Sequence, residues 1–133
     1  MRLVFLKFCE RVATEANGRW SIHGIYECIY VQGTFPCPMP PLFAIAEVEA
    51  EIGEGPGERP VEVTIFDEDG HAFAGLEGVV TLRPPSPGMP SQGTIPLQFP
   101  LGSFVPRPGV CSCELYVDGK LIGSERIEFA IAA

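Results

Sequence analysis

Three carboxylates in four residues, Asp67-Glu68-Asp69-Gly70, form the run in this chain best suited to gather a hard cation such as calcium. The pattern falls short of an EF-hand loop, and one turn cannot supply six oxygens. A second acidic loop would have to come alongside, and Asp118 and Glu54 are the residues that could bring it. The competing reading is a hairpin turn, where Asp favours the first position and Gly the left-handed one. The turn is the preferred reading. Asp67, Glu68 and Asp69 remain the candidate metal ligands, and no metal or other cofactor is assigned.

The second set is the five cysteines. Cys111 and Cys113 are two apart in an alternating run, so both thiols point to one face of a strand. With Cys9 or Cys28 on a neighbouring strand they could make a thiolate site. Zinc sites, however, place Cys-x₂-Cys on a turn. Here the cysteines sit among Val110, Leu115 and Val117, where buried cysteine behaves as a small hydrophobe. Core packing is therefore expected for both. Cys37, between prolines, is the thiol expected to be exposed, with no basic neighbour to activate it.

The two histidines, His23 and His71, lack the partners of a catalytic triad, and no Gly-x-Ser-x-Gly elbow occurs. Gly53-Glu54-Gly55-Pro56-Gly57 resembles a phosphate loop only in its glycines, because Glu54 and Pro56 spoil the anion cradle and no helix follows. Glu47, Glu49 and Glu51 share one strand face, as on a solvated sheet. No catalytic residues are assigned, and the chain is not expected to be an enzyme. A net charge of −8 with scattered Lys and Arg disfavours nucleic acid and anionic membranes and leaves a basic partner open. No run reaches the ~18 apolar residues of a membrane span. The first ten residues are too short and interrupted for a signal peptide, and the odd cysteine count suits a reducing compartment, so a cytoplasmic location is expected.

The elements that must position these residues are strands. Fifteen glycines and fourteen prolines punctuate short alternating runs, as in sandwiches and barrels. Asp118-Gly119 between two such runs is a strong hairpin signal, because a type I′ turn needs φ > 0 at both central residues. Its apolar faces match only if a bulge at Gly123-Ser124 sets Cys111 beside Ile127. Asn17-Gly18 is a second turn signal. Strands are expected over Arg2–Cys9, Leu42–Ile52, Val61–Ile65, Leu76–Arg83 and Thr94–Phe99, with Gly53–Pro60 a flexible loop. Between Arg19 and Val31 the apolar parity flips around His23-Gly24, which marks a bulge or a bend between sheets. Phe35–Pro41 and Pro84–Pro90 are rigid proline-rich connections. If the end loops cluster, Phe35, Met39, Phe104 and Val105 form an apolar patch for a partner.

The segments Ala16 to Tyr26, Thr34-Phe35-Pro36, Val63 to Gly70 and Pro108 to Phe129 resemble the DUF6941 family, small bacterial domains of unknown function. The resemblance spans nearly the whole chain. It implies a compact β-sandwich in a bacterial cytoplasm and brings no catalytic residues. Cys111 and Cys113 depart from it, where bulkier core residues would be expected.

Together these readings predict an all-β chain: one immunoglobulin-like or C2-like antiparallel β-sandwich of about eight strands over residues 1–133. The expected core includes Leu3, Phe5, Trp20, Ile22, Ile29, Leu42, Ala44, Val48, Val63, Ile65, Val80, Leu97, Leu115, Val117, Ile127 and Phe129. The expected function is a non-enzymatic protein-interaction or structural module acting through sheet edges or end loops, with a protein partner or a second copy. The alternative is a metal- or small-ligand-binding sandwich domain.

Overall fold

The computed structural model describes residues 1–16, 19–51, 53–100 and 102–132. The Asn17-Gly18 turn and Ile52 lie outside the described residues. Among the described residues there are strands and no helix. In chain order they are β1 (Arg2–Thr14), β2 (Trp20–Ile25), β3 (Ile29–Val31), β4 (Cys37–Pro38), β5 (Phe43–Glu49), β6 (Gly57–Phe66), β7 (Ala72–Leu82), β8 (Gln92–Gln98), β9 (Phe104–Val105), β10 (Gly109–Val117) and β11 (Lys120–Ile131). They form a sheet of order β2-β1-β5-β8, a sheet of order β3-β11-β10-β6-β7 and a small β4-β9 pair. The ladders are antiparallel except where β3 lies parallel to β11. The expectation of about eight antiparallel strands thus becomes eleven with one parallel pair among the described residues, because the Arg19–Val31 run splits into β2 and β3 and two connections pair as β4 and β9.

Alternation explains the core. Ala44, Ala46 and Val48 of β5 meet Val61, Val63 and Ile65 of β6 and Cys111, Cys113, Leu115 and Val117 of β10 in one apolar cluster shared by the two larger sheets. Ile127 and Phe129 of β11 and Ile29 of β3 complete it. Burying each Val, Leu, Ile or Phe among them stabilises by roughly 1.5–3 kcal/mol before the entropy of ordering is counted, and each alanine by less.

Two bulges decide which residues reach that core. In β1 the register shifts between Leu3 and Phe5, so that Val4 is the extra residue. Leu6 and Phe8 then take the core face, and Phe5, expected inside, is only half-buried. A one-residue shift turns every later side chain to the other face. In the closing hairpin Asp118 and Gly119 both have positive φ, 54° and 75°, as the type I′ turn requires. Leu115 pairs with Gly123 and Tyr116 with Leu121, so the extra residue is Ile122 rather than the expected Gly123-Ser124 pair, and Cys111 does stand beside Ile127. Gly123 faces Leu3 of the other sheet so closely that a Cβ there would strike that side chain.

The parity flip near Gly24 is the passage from one sheet to the other. Gly24 has φ +67°, the β1–β2 register continues unchanged on both sides of it, and the chain then leaves β2 for β3. Residues 57–60, expected in a loop, are strand: Pro60 pairs with Val79 of β7. The Pro60 carbonyl accepts from the Asp118 amide, and its nitrogen faces the same side, past the last β10 residue, Val117. No ladder donor is lost there, and proline is tolerated.

The β1–β2 ribbon does not simply extend its sheet. By ladder position Trp20 stands opposite Thr14, whereas Gly93 of β8 stands level with Val48 and Leu3. Leu3 to Thr14 spans about 36 Å of extended chain. Yet Trp20 lines one shallow pocket with Gly93 and Thr94. β1 must therefore bend, bringing the Trp20 end of the ribbon back toward β8. Cys9 and Ile45, 0% and 1% exposed, are buried outside the shared core cluster. Trp20, expected in the core, is 38% exposed, and Ile22 is half-buried.

Candidate functional site

The acidic run forms the β6–β7 turn. The Asp67 amide donates to the His71 carbonyl and the Gly70 amide to the Asp67 carbonyl, with Gly70 at φ +82°. Asp67 Oδ1 accepts from the amides of Asp69 and His71, each at 2.9 Å. These bonds, led by the one from His71, hold the Asp67 carboxyl below its usual range, and Arg107 adds to the effect. Ligand atoms of Asp67, Asp69 and His71 lie within 4.8 Å of one another, close enough to share an ion. However, the Arg107 guanidinium already bonds Asp69 and stands 3.7 Å from Asp67. Glu68 turns away and accepts the Val110 amide at 3.0 Å, tying the turn to the start of β10. A guanidinium among these carboxylates competes with a cation for the same oxygens. Asp118, proposed as part of a second acidic loop, pairs instead with Arg59 at 3.4 Å. Glu54 accepts the Glu51 amide. The sequence reading missed Arg107, since nothing in its local pattern shows which turn it will meet.

Cys111 and Cys113 lie in the core, as their strand face implied. Burial pushes the Cys111 thiol up to about 11, with Asp67 and Glu68 contributing, and the Cys113 thiol up to about 12. Neither is a thiolate near neutral pH, so neither is poised for metal or nucleophilic chemistry. Cys37, expected to be the exposed thiol, is buried, because β4 pairs with β9 and turns Cys37 and Val105 inward as partners. Cys28 is the least buried of the five.

The end-loop patch is brought together and then mostly internalised. Pro38 pairs with Phe104, and the Met39 amide donates to the Ser103 carbonyl. Met39 and Val105 join the core cluster, against the expectation that they are displayed, and Phe35 packs half-buried against it. Phe104 alone of the four is exposed, at 56%. Alternation on so short a ladder sends Val105 in and Phe104 out.

His23 and His71 stand far apart in the ladder order, on β2 and beside the β6–β7 turn. Among the described residues no helix is long and apolar enough to cross a membrane. The large apolar side chains left outside include Tyr30 on β3 and Ile131 at the end of β11. The fold class is thus an all-β domain whose acidic, thiol and proline-loop residues serve mainly turn geometry and core packing.

The family of unknown function DUF6941 matches residues 4–131, and the chain belongs to that family. No curated protein matches it. Among solved structures it is similar to the Pseudomonas fluorescens alkylpurine DNA glycosylase AlkC bound to DNA containing an abasic site analog, at 13% identity and TM-score 0.41 over 93% of this chain. It is also similar to the Bifidobacterium dentium beta-glucuronidase complexed with coumarin-3-O-glucuronide, at 17% identity and TM-score 0.32 over 98% of this chain. The chain spans 30% and 18% of those two proteins.

Proposed function

We propose that the chain is a non-enzymatic interaction module, an immunoglobulin-like or C2-like β-sandwich that binds a protein partner in the cytoplasm through an open sheet edge. The observation that carries this reading is the edge at β3. This strand has three residues and closes its sheet on one side. The Val31 carbonyl accepts from the Ala132 amide, so Val31 faces β11 and the N–H and C=O of Tyr30 face outward. The Tyr30 side chain is 67% exposed opposite Ala130, and Ile131, the next residue of β11, is exposed as well. An outward backbone pair flanked by apolar side chains is what strand addition by a partner uses. The net charge of −8 favours a basic protein over nucleic acid, an anionic membrane or a second acidic copy.

The test replaces Tyr30 and Ile131 by serine together, and uses both forms as bait in native cell extract. Recovery of a basic protein by the unsubstituted chain, lost in the double variant at unchanged melting temperature, is the expected result. A strict monomer by light scattering that recovers the same proteins in both forms rules the edge out.

A further inference from the structure

The hollow that Trp20 lines lies where the edge strands β8 and β7 of the two larger sheets come together. Trp20 is the only tryptophan of the chain, and it is 38% exposed. Beneath it lie Thr94 and Gly93 of β8, Thr81 of β7 and Arg83 just beyond that strand, around a hollow of about 260 Å³. That is below the roughly 300–1,000 Å³ of drug-sized pockets and offers room for a single small ring. Gly93 is required by the close packing of β8 on β7: a Cβ would come within 2.7 Å of Val80 Cγ2 and 2.8 Å of the Thr81 carbonyl.

Of the polar side chains that line this hollow, Arg83 is bonded within the chain and, among the described residues, the two threonines are not. The Arg83 amide donates to the Gln92 carbonyl at 2.8 Å, and its Nη2 donates to Gln92 Oε1 at 3.1 Å, which fixes the guanidinium at the rim. Among the described residues, no hydrogen bond within the chain engages the Thr81 or Thr94 hydroxyl or the Trp20 indole N–H. One aromatic residue and several residues with hydrogen-bonding side chains therefore line one space.

We propose that this hollow is a binding site for a neutral saccharide, one pyranose ring of a longer chain resting its C–H face on Trp20 while its hydroxyls bond Thr81, Thr94 and Arg83. The alternatives fit less well. A cationic ligand would meet the Arg83 charge, and a polyanion would meet a protein of net charge −8. A wholly apolar ring would leave the threonine and arginine groups without partners, at a cost in affinity. A proline-rich peptide docks on a groove lined by several aromatics, and only one lines this hollow. A polyhydroxylated ring presents both an apolar face and donors and acceptors around its edge. Binding needs no bond made or broken, and it stands independently of the β3 edge.

Because Trp20 is the sole tryptophan, its emission reports this site alone. The test titrates the whole chain with maltohexaose, cellohexaose and chitohexaose up to about 10 mM, ten times the concentration that half-saturates a weak millimolar site. A saturable change in Trp20 emission with at least one of them is expected. Thr94→Val and Arg83→Gln, which keep the indole in place, should each weaken that binding by about three- to tenfold at unchanged melting temperature. Calorimetry on Trp20→Ala should lose the binding altogether. The proposal is overturned if none of the three sugars gives a saturable change. It is equally overturned if saturation occurs only with polygalacturonate or a free nucleotide, or if Thr94→Val and Arg83→Gln bind as the parent does.

Discussion

The two terminal hairpins follow the same local plan and have different fates. β10 and β11 pair from Gly109 opposite Phe129 up to the turn, and place Cys111, Cys113, Leu115, Val117, Ile127 and Phe129 in the shared core. β1 and β2 pair only from Cys9 to Thr14, and no residue of β2 is fully buried. The difference lies in what stands alongside. β10 has β6 on its other side and the opposite sheet beneath it. The ribbon half of β1 has only β2, and a two-stranded ribbon is marginal by itself in water. The first hairpin therefore stays largely exposed and presents Trp20, whereas the second builds the interior.

The largest break in this symmetry should come from equal truncations. Leu115→Ala in the closing hairpin is expected to cost about 2–5 kcal/mol in urea unfolding, since it empties a closed site. Ile22→Ala in the ribbon should cost under about 1 kcal/mol. Equal losses would mean that the ribbon is as integral as the core hairpin. Next in size is Gly123→Ala, whose Cβ would strike Leu3. It should destabilise by about 1–3 kcal/mol through overpacking, while Gly119→Ala, with open space but φ +75°, reports only backbone strain. If the two variants melt together, the Leu3 contact yields freely.

A smaller effect concerns pH at the turn that anchors β10. The Asp67 carboxyl is held low first by the His71 amide and then by Asp69 and Arg107. Its contribution to stability is complete above the ordinary aspartate value of about 3.9, and is lost as pH falls through its lower folded value. Asp67→Asn should flatten the acid limb of a stability–pH curve. An unchanged limb would show that the turn does not depend on that charge. The least effect is on thiol chemistry. Native protein treated with a thiol reagent near neutral pH should label Cys28 first. Cys111 and Cys113, pushed up to about 11 and about 12, should react only on unfolding. Early labelling of Cys9 would indicate that the ribbon lifts from its sheet.

Much of the fold was legible where local rules coincide. Alternation beginning at Leu42 marked a strand that runs over Phe43–Glu49, the pattern around Asp118-Gly119 marked a hairpin that exists, and the face shared by Cys111 and Cys113 marked them as core. Legibility failed where a single residue changed phase. The extra residue Val4 exchanged Phe5 for Phe8 inside. The β4–β9 pairing drew Met39, Cys37 and Val105 into the core, although proline-rich context read as exposed loop. Of the candidate sites, the acidic turn was visible but Arg107 was not, because it reaches Asp69 across 38 positions of sequence.

By itself, the sequence determined that this protein is all-β, where its tightest turn falls, which side chains of its best strands share a face, and its family. These follow from φ preferences and period-two alternation, which act between near neighbours. Tertiary structure alone decided which of two similar hairpins became core, which acids met a guanidinium, and that Trp20 overhangs a polar hollow. Those outcomes depend on sheet order and on bulges of one residue, which bring together groups that no local pattern connects.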